Sequence, residues 1–219
     1  MEQAPCPGCG AVVEFEPVFS VGNKTWAPYC ATCKAEQERE FQREARDAAI
    51  ANHWARVCPP TFRDTEFELL PCRDKSSEAI NWTFDEGRGL NLWGLHGTGK
   101  TRTMYLILKT LHAAGKSMSI FSPTRFVKEL EERSYHRASW IDALARKDFV
   151  CFDDMDKLSL TGPMEKSFFG LLDQRMTHGK PCIFTHNSKA TELEWKFKMG
   201  GSLVRRIREF TKSIHFGKL

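Results

Sequence analysis

Apolar and polar positions follow two different periods through most of the chain. Short apolar runs occur at Leu90 to Trp93, Met118 to Phe121, Phe149 to Phe152, Cys182 to Thr185 and Ile214 to Phe216, each the length of a buried strand. Between them, apolar residues recur at helical spacing in TRTMYLILKTLHAA, PTRFVKELEERS with SWIDALARK, PMEKSFFGLLDQRMTH and the stretch from Ser202 to Phe210. Strands alternating with helices of about 10 to 15 residues predict an α/β domain, a five-stranded parallel sheet covered by helices on both faces. It is expected to occupy residues 58–219, beginning where Pro59 and Pro60 halt the preceding helix.

Upstream the pattern changes twice. Residues 34–57 contain neither Gly nor Pro, and five basic residues balance five acids. One exposed connector helix is predicted, on which Glu36 with Arg39, Glu40 with Arg43, and Arg43 with Asp47 can pair. Residues 1–33 are rich in Cys, Gly and Pro, with a period of two in AVVEFEPVF, and predict a small ribbon-like module.

Composition narrows the class. The 219 residues, 41% hydrophobic and 27% charged, suffice for one ordinary domain with a small appendage. The apolar stretch around Met104 to Leu108 falls far short of the roughly 20 residues that cross a bilayer. MEQAPCPGCG lacks a signal-peptide core, so a soluble, cytoplasmic protein is expected. The net charge is only +4, yet the segment from Trp195 to Leu219 carries seven basic residues, Lys196, Lys198 and Lys218 among them, against the single acid Glu209. Such a segment either attracts phosphate or forms a solvated helix face.

The strongest local signal is GLHGTGKT, Gly94 to Thr101, which satisfies G-x-x-x-x-G-K-[ST] between a predicted strand and a predicted helix. Gly97 and Gly99 let backbone N–H groups turn inward into an anion nest at a helix N-terminus. The phosphate-binding candidates are therefore Gly94, Leu95, His96, Gly97, Thr98, Gly99, Lys100, Thr101 and Arg102. Lys100 would neutralise the β- and γ-phosphates of ATP, and the Thr101 hydroxyl would ligate Mg²⁺. In FVCFDD, Asp153 emerges at the carboxyl end of a strand, where ligands of open α/β sheets collect. Asp153 is the second Mg²⁺ candidate and Asp154 the residue that orients or deprotonates the attacking water. An Asp reaches one methylene less far than a Glu, which implies slow hydrolysis. Asn187, after the fourth apolar run, is the candidate donor to the γ-phosphate or its water; its alternative is an ordinary turn residue. His186 is assigned to structure. In SLVRRIREF, Arg205 and Arg206 lie on a helix whose apolar side is Leu203, Val204, Ile207 and Phe210. One arginine could reach a neighbouring subunit's nucleotide; the alternative is an exposed salt-bridging helix.

Cysteine spacing supplies a second constellation. Cys6, Cys9, Cys30 and Cys33 form C-x2-C-x20-C-x2-C, two knuckles able to present four thiolates to Zn²⁺. With no ligand position left for water, the site is expected to be structural, the metal supplying the folding energy that so small a module lacks. Cys58, Cys72, Cys151 and Cys182 are expected to be reduced core thiols.

Taken in order, the cysteine module, the charged connector, CPPTFRDT, GLHGTGKT, FVCFDD, CIFTHN and SLVRRIREF resemble the DnaC/DnaI replicative helicase loaders, members of the AAA+ ATPases. That resemblance implies an AAA+ P-loop core without a C-terminal lid, ATP hydrolysis stimulated by assembly or DNA, and delivery of a hexameric replicative DNA helicase to single-stranded DNA. It assigns Asp153 and Asp154 to the Walker B pair, Asn187 to sensor 1, Arg206 to the arginine finger of an ATP-dependent self-assembly, and Cys58 to Thr65 to the adenine end. It also implies a bacterial, phage or mobile-element protein. Met155-Asp156 and Thr185-His186-Asn187 depart from the commoner Ile-Gly and Thr-Ser-Asn of the family. An IstB-like transposition helper and a P-loop kinase of a small metabolite are the competing readings.

Overall fold

In a computed structural model of the chain, residues 1–15, 29–84, 87–189, 192, 197 and 200–217 are described. They divide into two units, Met1–His53 and Trp54–Leu219. The later part of AVVEFEPVF and the basic residues Lys196, Lys198 and Lys218 lie outside the described residues.

The first unit opens with an antiparallel hairpin of β1 (Glu2–Pro5) and β2 (Val12–Phe15), paired from Glu2↔Phe15 to Pro5↔Val12. The charged helix α1 (Ala31–Val57) starts inside the second cysteine pair. Residues 34–49 are exposed throughout. None of the three ion pairs expected along it is closed; Arg39 Nε donates instead to the Ala35 carbonyl at 3.1 Å. Exposed pairs gain too little Coulomb energy in water to hold two long side chains in one geometry.

In the second unit the short helix α2 (Pro60–Arg63) and α3 (Arg73–Ile80) precede the sheet. There follow β3 (Gly89–Gly94), α4 (Lys100–Ala113), β4 (Met118–Phe121), α5 (Pro123–Glu132), α6 (Arg137–Arg146) and β5 (Phe149–Phe152). After these come α7 (Gly162–Thr177), β6 (Cys182–His186), α8 (Gly200–Phe210) and β7 (Thr211–Phe216). All five predicted strands form, in one parallel sheet of order β4-β5-β6-β3-β7. The last strand begins at Thr211, three residues before the apolar run, because Thr211 to Ser213 pair with Gly89 to Asn91 of β3.

Alternation along the strands sorts the core into two layers. Leu90, Leu92, Cys151, Ile183, Ile214 and Phe216 face α4, through Met104, Ile107 and Leu108, and Trp54 of α1 packs in the same layer. Val150, Phe152 and Phe184 face the other way, onto Phe126, Leu144, Phe168, Leu171 and Ile207 from α5, α6, α7 and α8. Cys58, Cys151 and Cys182 are buried thiols, and no disulfide occurs among the described residues. The connection from β3 to β4 passes through α4 on one face and that from β6 to β7 through α8 on the other, so the connections of the adjacent strands β3 and β6 diverge to opposite faces. Ligands of open α/β sheets bind at the carboxyl ends of strands beside such a divergence.

Candidate functional site

The loop after β3 is shaped by its glycines. Gly94 has φ +134°, and a Cβ there would fall 2.1 Å from the Phe216 carbonyl oxygen of β7. Gly99, at φ +91°, caps α4, its carbonyl accepting from Thr103 N at 2.8 Å. Lys100 is the first residue of that helix, and its Nζ donates back to the carbonyls of Gly94 at 3.0 Å and Leu95 at 2.6 Å. The Thr98 hydroxyl also donates to Leu95 O. Burial lowers the Lys100 pKa, against the opposing pull of Asp154, Asp156 and Asp153.

Asp153 follows β5 directly. Its Oδ1 accepts from Thr101 Oγ1 at 2.8 Å and from Thr185 Oγ1 at 2.5 Å. Burial pushes this carboxyl up, while the two hydroxyls pull it down. Thr185 Oγ1 also accepts from Asp154 N at 2.9 Å, so one buried hydroxyl at the end of β6 ties both aspartates to the tip that carries Asn187. Asp154 takes a left-handed backbone, φ 50° and ψ 44°, which Asp enters more readily than most residues. Its Oδ2 accepts from Lys157 Nζ at 2.5 Å.

A cleft of ≈ 360 Å³ is lined by His96, Gly97, Gly99, Lys100, Thr101, Asp154, Lys157 and Asn187 together with Phe62, Leu69, Pro71 and Arg102, and Asp153 reaches it through its bond to Thr101. Phe62 stacks on Tyr105, ring centroids 4.7 Å apart. Arg102 lies over the Phe62 ring and donates to Thr65 Oγ1 at 3.3 Å. The sequence candidates Lys100, Thr101, Asp153, Asp154 and Asn187 thus converge from three strand ends. Arg206 does not join them. Its Nε donates to Asp173 at 2.6 Å, its guanidinium sits 4.0 Å from the Phe169 ring centre, and its side chain is 17% exposed, whereas that of Arg205 is 69% exposed.

His186 is structural, as assigned: its Nε2 lies 2.8 Å from Asn91 Oδ1 and its Nδ1 2.8 Å from the Ser188 carbonyl. Two contributors went unread in the sequence. Thr185 looked like the end of an apolar strand, and Lys157 looked like one charge in a polar run; neither obeys a spacing rule.

In the first unit the four sulfurs of Cys6, Cys9, Cys30 and Cys33 lie within 4.8 Å of one another. Cys9 and Cys30 Sγ are 3.7 Å apart, close to the roughly 3.8 Å edge of a tetrahedron with metal–sulfur bonds of about 2.3 Å. Backbone N–H groups already point at sulfur, Cys30 N to Cys6 Sγ at 3.2 Å and Cys33 N to Cys30 Sγ at 3.5 Å. The Cys6 thiol is lowered to about 6, chiefly by the Cys30 N–H. A Cβ at Gly8 would stand 2.9 Å from Cys33 Sγ, so the first knuckle is cut to fit the sulfur cluster. Donor set and spacing both fit a tetrahedral zinc site.

No protein-family profile matches the chain, and no curated protein matches it in sequence. Solved structures match in fold. A DnaI structure superposes with TM-score 0.57 at 19% identity over 74% of this chain and 93% of its own. The DnaC helicase loader gives 0.56 at 16% identity, over 74% and 98%. Replication initiator DnaA bound to AMPPCP and single-stranded DNA gives 0.57 at 17% identity, over 71% of this chain and 50% of its own. The chain therefore spans half the length of that DnaA and nearly all of the two loader chains. Among the described residues no helix is long and apolar enough to cross a membrane. The chain thus has the α/β fold seen in the DnaI, DnaC and DnaA structures, with a four-cysteine cluster in the unit that precedes it.

Proposed function

We propose that the protein is an ATP-dependent loader that binds a hexameric replicative DNA helicase and delivers it to single-stranded DNA in the bacterial cytoplasm. The observation that carries the reading is the convergence of Lys100, Thr101, Asp153, Asp154 and Asn187 on one cleft at the divergence of β3 and β6. The near-complete coverage of the DnaI and DnaC chains favours a loader over the other users of this fold.

Residues 1–33 serve as the zinc module, 34–57 as connector and 58–219 as the ATPase domain. Lys100, now held by carbonyls of its own loop, exchanges them for the β- and γ-phosphates. Thr101 and Asp153 would hold Mg²⁺, whose charge neutralises that developing on the transferred phosphoryl group. Asp154 orients the attacking water and Asn187 donates to it or to the γ-phosphate. Helix α8 supplies the arginine that reaches the next subunit. Arg206 must leave Asp173 to do so, while Arg205 already projects. Cys6, Cys9, Cys30 and Cys33 would hold structural Zn²⁺.

The test is co-elution of the full chain with a cognate hexameric helicase in the presence of ATP. A stable complex is expected, and Lys100→Ala should abolish its ATP dependence and ATP turnover. Absence of a complex with the wild-type chain overturns the loader reading; unchanged turnover in Lys100→Ala overturns the assignment of the loop.

A further inference from the structure

Lys157 sits at the end of the single turn Met155–Lys157 that follows the aspartate pair. Its N–H donates to the Asp154 carbonyl at 2.8 Å, and this turn folds its side chain back so that Nζ meets Asp154 Oδ2 at 2.5 Å. The same side chain lines the cleft beside Lys100, Thr101 and Asn187. It is 58% exposed, and among the described residues its side chain bonds to Asp154 alone. Two other cations line the same cleft: Lys100, whose Nζ is held by the carbonyls of its own loop, and Arg102, which lies over the Phe62 ring and donates to Thr65 Oγ1.

We propose that Lys157 is a terminal-phosphate ligand supplied by the same chain, which leaves Asp154 for the γ-phosphate when ATP binds; this rests on the reading that the cleft takes ATP. The exchange is electrostatically favourable. A terminal phosphate presents up to two negative charges and three acceptor oxygens to an ammonium that otherwise has one carboxylate. It also does something for the carboxylate. While paired, Asp154 Oδ2 is occupied by Lys157; once released, it can accept a hydrogen bond from the attacking water. In the step that follows, the water oxygen bonds to the γ-phosphorus as the bond from that phosphorus to the bridging oxygen breaks. The electron pair leaves with ADP, and the water proton passes through Asp154 to the phosphate. ADP lacks the γ-phosphate, so the lysine returns to Asp154. One side chain thereby senses the third phosphate and frees the group that orients the water.

The alternative is an exposed ion pair three residues apart, with no nucleotide role. Titrating the full chain with ADP and with a non-hydrolysable ATP analogue in Mg²⁺ separates the two. In Lys157→Ala the ratio of ATP-analogue to ADP affinity should fall about tenfold, the loss of one charge-assisted hydrogen bond. Lys157→Arg should recover most of it, and ATP turnover in Lys157→Ala should drop. An unchanged ratio overturns the proposal. So does faster turnover in Lys157→Ala at an unchanged ratio, which would make the lysine only a restraint on Asp154. If the wild-type chain binds neither nucleotide, the nucleotide reading of the cleft fails first, a result distinct from either of these.

Discussion

Among the described residues Arg175 is the most deeply buried charged side chain, 1% exposed, and no carboxylate is among its partners there. Its guanidinium donates to the carbonyls of Leu144 at 2.8 Å, Lys147 at 2.9 Å and Pro181 at 2.6 Å, and its Nε to Cys182 Sγ at 3.2 Å. Leu144 lies in the last turn of α6, where a helix gathers partial negative charge, so carbonyl dipoles replace a counter-ion. Arg175→Met would strand these carbonyls, and the expected loss is about 3 to 5 kcal/mol of unfolding free energy, read by urea denaturation. Nothing in PMEKSFFGLLDQRMTH distinguishes this arginine from a surface one, because its partners are backbone groups remote in sequence. His186 offers a second test. Burial lowers its pKa below the ordinary 6.5, so between that lowered value and 6.5 the unfolded chain binds the proton more tightly than the native one. Its contribution to stability therefore declines as pH falls below about 6.5. Comparing wild-type and His186→Gln midpoints from pH 7.5 to 5, the wild type should lose more; parallel curves would reject this role.

At the scale of elements the sequence was most informative where periodicity and motif agreed. All five strands and the helices between them were legible, since each strand holds a short, mostly apolar run and the segments between repeat apolar residues at helical spacing. The strand-to-helix context of GLHGTGKT located the loop, and the CxxC spacing located the sulfur cluster. What could not be read was contact between elements: the bond from Thr101 to Asp153 spans 52 positions, and the retreat of Arg206 onto Asp173 depends on how α7 meets α8. Cys33 falls in the first turn of α1 and Cys30 accepts from that turn through sulfur, so the four-cysteine cluster and the helix start are one object. Most of α1 is exposed, and a helix without tertiary packing depends on its costly nucleus. Cys30→Ser, or removal of zinc by a chelator, should therefore lower helicity measured by circular dichroism and abolish helicase binding while sparing ATP binding. If the helicase still binds, the cysteine module is not its docking element.

For the whole molecule, the order of strands matters as much as their presence. Strand β3, which leads into GLHGTGKT, is the first of the five-stranded sheet to be made, yet its neighbours are the last two, β6 and β7. Asn91 in its middle is bonded to residues 95 and 122 positions further along the chain. Contacts so distant in sequence close slowly, because loop entropy must be overcome before they reward it. During synthesis on the ribosome β3 therefore waits as an unpaired strand while β4, β5 and their helices assemble beside it. The loop from Gly94 to Thr101, braced by Leu95 N on the Phe216 carbonyl at 3.2 Å, gains its support only when β7 docks. A nascent chain halted before Thr211 would carry every residue of that loop and still lack the strand that holds them in place.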